Sequence, residues 1–157
     1  QDASMAYEWE RYLDRNVGIP LRLIYYHYAF RDRSLATDFL LCDTPWWGRP
    51  LYALTYPLIK RAMKKSMRID RRSVDAAHIQ LLAAFDKLDE RIARHKFLAG
   101  PLFCRADLCA SALLFHSWSD QWRSPPEIKQ FMKQLSDRPF FAWAHAIYRD
   151  YRSSAVR

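Results

Sequence analysis

A thiol beside an arginine at the start of a helix has a lowered pKa and can serve as a thiolate nucleophile, and Cys104-Arg105 fits that description. The same position suits a buried cysteine standing in for a capping hydroxyl, and the apolar residues around it favour this second role. Ser111 and Ser117 have no base placed by any motif, so nucleophilic catalysis through a hydroxyl finds no support. The five histidines, His27, His78, His95, His116 and His145, show no HxxH or HxxxH pairing. His78 instead falls on the apolar stripe of a helix, as a core-edge histidine. The three cysteines, Cys42, Cys104 and Cys109, are odd in number and lack CxxC spacing, which suggests neither a disulfide framework nor a zinc site. No catalytic residue, metal ligand or cofactor of this chain is nominated on these grounds.

Charge is the other resource, with a formal net value of +8. Its densest group, Lys60, Arg61, Lys64, Lys65, Arg68, Arg71 and Arg72, would suit phosphates or an anionic surface. It lies near the end of an expected helix, where cations complement the helix dipole, and a solvated face is the simpler reading. Nucleic acid is therefore not an expected partner.

The elements that must position these groups are helical. The chain has 157 residues, half of them hydrophobic and only three of them glycine, which suits one packed domain over residues 1–157 with few of the turns that short strands require. The longest nearly apolar stretch, 108–115, is too short to span a bilayer, and residues 1–10 lack the pattern of a signal peptide. The expectation is a cytoplasmic protein with no membrane partner. Leu13, Val17, Leu21, Ile24 and Tyr28 form one stripe of a helix over residues 4–30, and Tyr12, Ile19, Leu23, Tyr26 and Phe30 a second beside it. Pro20 inside this pattern predicts a bend near Gly18 and Ile19. Residues 31–49 have a loop-like composition, with Trp46 and Trp47 as anchors to the bundle. A second helix begins at Pro50 and runs to about Met67, with a kink at Pro57. The third carries the stripe Val74, Ala77, His78, Leu81, Phe85, Leu88 and Ile92 and is closed by Gly100 and Pro101. The fourth, 105–118, is apolar nearly all round and belongs in the middle of a bundle. The fifth, 126–136, and a last amphipathic helix carrying Phe140, Trp143, Ile147, Tyr148 and Tyr151 complete an all-α bundle of about six helices around a buried central one.

Residues 97–108, FLAGPLFCRADL, describe how that central helix begins. With Cys104 as N-cap, Asp107 falls at the third helical position, where its carboxylate accepts from the Cys104 N–H, and Phe103 and Leu108 fall at the two positions of a hydrophobic staple. This segment resembles the N-capping box and staple of the glutathione S-transferase C-terminal domain, with Cys104 in place of the usual Ser or Thr. Residues 7–22, 46–67 and 126–152 are similar to other helices of bacterial-type members, so the resemblance covers nearly the whole chain.

The resemblance implies that the parent protein conjugates glutathione, its co-substrate, to an electrophile. It also implies a preceding thioredoxin-like domain that holds the glutathione site and the catalytic residue, and a homodimer. On that view this chain alone is inactive and supplies a wall of the electrophile pocket, for which Tyr12, Ile19, Arg22, Tyr26 and Phe30 are the candidates. A plain core stripe is the competing reading of the same residues. The alternative function is a non-catalytic interaction or scaffold module of the same helical type.

Overall fold

The computed structural model of the chain describes residues 3–41, 45–118 and 124–152, and Cys42 lies outside them. Helix makes up 82% of the structure, with no strand among the described residues, so the all-α expectation holds. In chain order the elements are α1 (Ala3–Leu13), a π turn (Asp14–Gly18), α2 (Ile19–Ala29), α3 (Arg33–Leu40), α4 (Gly48–Ser66), α5 (Arg71–Arg94), α6 (Arg105–Trp118), α7 (Pro126–Ser136) and α8 (Pro139–Arg152). With α1, the π turn and α2 running on as one continuous helix, seven helices stand among the described residues where about six were expected.

The irregularity expected from Pro20 takes the form of the π turn. A proline has no N–H for its own turn of helix, and just before it the Ile19 N–H reaches back five residues to the Asp14 carbonyl. Gln80 of α5 donates to the Arg15 carbonyl and to Asn16 Oδ1, each at 3.2 Å. Gly18 lets α6 come close, since a Cβ there would stand 3.0 Å from Leu113 Cδ2.

The helix α3 was not legible in the sequence, where residues 31–49 read as loop. Asp32 caps it by accepting from the Ser34 N–H at 2.8 Å, and buried Ala36 packs with Phe30, Tyr52, Tyr56 and Ile69 in a small second core beneath α4. Pro57 leaves the Ala53 carbonyl, four residues earlier, without its helical donor, and Arg33 of α3 donates to it at 2.6 Å. Trp46 and Trp47 do not anchor this segment: both are exposed, because α4 turns inward only the opposite face, carrying Tyr52 and Tyr56.

The main core joins α1, α2, α5, α6, α7 and α8 around Leu13, Ile24, Leu81, Phe85, Leu114 and Phe140. Asp70 starts α5 by accepting from the Ser73 N–H at 2.8 Å. Asp89, on α5, starts α8: it accepts from the Phe140 N–H at 2.6 Å and from Arg138 Nε at 2.7 Å, while Arg138 also pairs with Asp86. The chain turns between α5 and α6 at Gly100, whose φ of +134° suits glycine alone.

Candidate functional site

The start of α6 is the most organised polar feature of the interior. Asp107 is 0% exposed. One carboxylate oxygen accepts from the Cys104 N–H at 2.8 Å, as the capping spacing requires, and the other from the Leu98 N–H at 2.8 Å. A single side chain thus holds both the helix start and the preceding turn, where Arg91 adds a bond from Nε to the Leu98 carbonyl at 2.9 Å. The second acceptor role, toward Leu98, had no sequence signal.

At the far position of the expected staple, Leu108 is 53% exposed. Phe103 stacks on Tyr151 of α8, with ring centroids 3.9 Å apart, and meets Phe97 edge-on at 5.8 Å. Helix α6 lies between α1 and α8, as an inner helix should, yet its Leu108 and Ala112 edge is open to solvent.

Cys104 sits in the surroundings of the buried capping role that the sequence favours over a thiolate: burial pushes its pKa up, and the Asp107 carboxylate adds to the shift. Cys109 is pushed up to about 11, first by burial and then by Glu10 and Asp14. A thiol is a weak acceptor at an N-cap, so Cys104→Ser is expected to raise stability by up to about 1 kcal/mol. Thermal melting checks this, and an unchanged or lower midpoint counts against Cys104 as the cap.

The nominated pocket residues are only partly brought together. Arg22 and Tyr26 share a depression of about 220 Å³ with Gly18, Leu21, Tyr25, Ala112 and Leu113, between α2 and α6. Burial raises the Tyr25 pKa there, against the opposing hydrogen bonds of Ser124 and Ser117. Tyr12 lies elsewhere, under Lys87 of α5 at 4.3 Å and beside Trp9. Ile19 is exposed, and Phe30 is buried in the second core, stacked on Tyr26. Only Tyr12 lies across the π turn from the others, and the companion stripe of Leu13, Val17, Leu21 and Ile24 stays buried straight through it. Ile19 and Phe30 part from Arg22 and Tyr26 because they stand at the two ends of α2.

His27 and His78 mark a neighbouring region. His78 meets Phe131 edge-on at 4.3 Å, the core-edge placement read from the sequence, and His27 Nε2 faces the Arg31 guanidinium at 2.9 Å. Both pKa values are lowered from 6.5, His27 by burial and then Arg31, His78 by burial. Their unprotonated forms favour folding, so this contribution is complete above about pH 6.5 and is lost as pH falls through the lower folded values. Urea midpoints are therefore expected to drop between about pH 7.5 and pH 5.5, and to drop less in the His27→Gln, His78→Gln double variant. An unaltered pH slope in that variant would exclude these two rings as the cause. Among the described residues no group of three or more His, Cys, Asp or Glu is placed to hold a metal ion.

Comparison of the chain with protein-family models, curated proteins and solved structures found no match.

Proposed function

We propose that this chain is the helical C-terminal domain of a glutathione transferase-like protein, contributing one wall of the site for the electrophilic co-substrate. The observation that carries the reading is the buried Asp107 carboxylate, bonded to Cys104 and Leu98 at the start of an inner helix. The depression at Arg22, Tyr26 and Leu113 supports it, being lined partly by apolar side chains and adjacent to the exposed Ala112 edge of α6. The pocket assignment accordingly contracts to Arg22 and Tyr26. In this reading glutathione is held, and its thiol activated, by a thioredoxin-like domain outside these 157 residues, and the assembled protein pairs as a homodimer.

A non-catalytic interaction module of the same helical type is the second reading, favoured by Leu102 and Leu108, both exposed around the start of α6. Glutathione-agarose separates the claims. The chain alone is expected to pass through the column, and the product of an extended reading frame to be retained. Retention of the chain alone would refute a glutathione site outside it, and an upstream frame without a thioredoxin-like segment would favour the module.

A further inference from the structure

The outward face of α4 is an apolar stripe with a basic border. Trp47, Leu51, Leu54 and Leu58 follow spacings of four, three and four, which align them along one side of a helix. They are 55%, 54%, 81% and 71% exposed, and Trp46 just before them is 85% exposed. Single exposed leucines are ordinary, whereas a continuous stripe of this length marks a contact surface. Gly48–Ser66 carries Arg49, Lys60, Arg61, Lys64 and Lys65 and no acidic residue.

That charge pattern selects the occupant. A second copy of the chain would bring two helices of five cations each into contact without one anion between them. An anionic surface is complementary. The order along the helix is more specific still, with tryptophans at one end, leucines in the middle and four of the five cations at the other end. Tryptophan favours the boundary between headgroups and acyl chains, and lysine or arginine can lay its stem on apolar surface while its charge reaches a phosphate.

We propose that α4 binds the surface of an anionic lipid bilayer, seating Trp47, Leu51, Leu54 and Leu58 at the headgroup boundary with Arg61, Lys64 and Lys65 against lipid phosphates. No helix of the described chain is long and apolar enough to cross a membrane, and peripheral attachment requires none. The inference departs from the expectation of no membrane partner and is independent of the glutathione reading.

Co-sedimentation of the full chain with vesicles tests it. Binding is expected to mixed phosphatidylglycerol and phosphatidylcholine vesicles, to weaken with added salt, and to be near background on pure phosphatidylcholine. The Leu54→Glu, Leu58→Glu double variant alters only exposed positions, and circular dichroism checks that it keeps the native helix content. It is expected to lose binding at least ~10-fold, and each of Lys64→Gln and Lys65→Gln about 5-fold. No sedimentation of the folded chain, or undiminished binding by the double variant, would overturn the proposal. So would a dimer, seen without vesicles, that the double variant abolishes, or RNA binding that the double variant keeps while vesicles show none.

Discussion

Asp107→Ala is expected to cost the folded chain about 3–5 kcal/mol, from two buried bonds to a charged acceptor lost together. The Leu98 N–H is buried and the Cys104 N–H partly so, and both point at the same carboxylate at 2.8 Å. Alanine would leave two donors of the interior without an acceptor and remove the link between the turn at Gly100 and the first turn of α6. Asp107→Asn keeps one acceptor oxygen but turns an amide N–H₂ toward the other donor, so it is expected to fall between wild type and alanine. Urea titration of the three proteins measures this. A loss below about 1 kcal/mol for alanine would show that α6 begins without help from this residue, and the family reading would lose its main support.

Phe85→Ala is expected to be comparably severe, about 3–5 kcal/mol, because a large side chain leaves a site that is closed on all sides. Phe85 is fully buried on α5 and meets the Phe140 ring edge-on at 5.3 Å, where α5 supports the start of α8. Asp89 holds the same start one turn further along, so the cavity would open beside a cap and not in a compliant surface. The control is Ile79→Ala on the same helix, which is well exposed and is expected to change stability by less than about 0.5 kcal/mol. Equal losses at both positions would mean that α5 does not present the face described here. Against a total stability of about 5–15 kcal/mol, either large effect leaves a marginal protein.

The fold was most legible where local chemistry and periodicity agreed. Helix α6 occupies the span expected for it, because Asp107 three places after Cys104 defines its start. Helix α7 does so because prolines stand at its beginning and at the first position of its successor. Helix α5 carries enough turns for its stripe to be unmistakable. The misreadings share one cause: each depended on a neighbour distant in the chain. Helix α3 is eight residues long, too short to be stable by itself, and depends on Phe30, Tyr52 and Tyr56 around Ala36. The stacking partner of Phe103, Tyr151, lies on α8, far along the chain.

The candidate site was legible only in part. Arg22 and Tyr26 stand one turn apart in the middle of α2 and share the depression, whereas Ile19 and Phe30 at the two ends of that helix and Tyr12 on α1 do not line it.

The sequence by itself determined that the chain is helical, where most of its helices begin and end, and which carboxylate starts α6, since caps, prolines and 3.6-residue periodicity act over a few neighbouring positions. Only the tertiary structure decided the parting of Tyr12 from Arg22 and Tyr26, the second acceptor duty of Asp107 and the outward turn of the α4 stripe. Each of these is set by which surface a distant helix covers, and a one-dimensional pattern records that a face is apolar without recording what, if anything, packs on it.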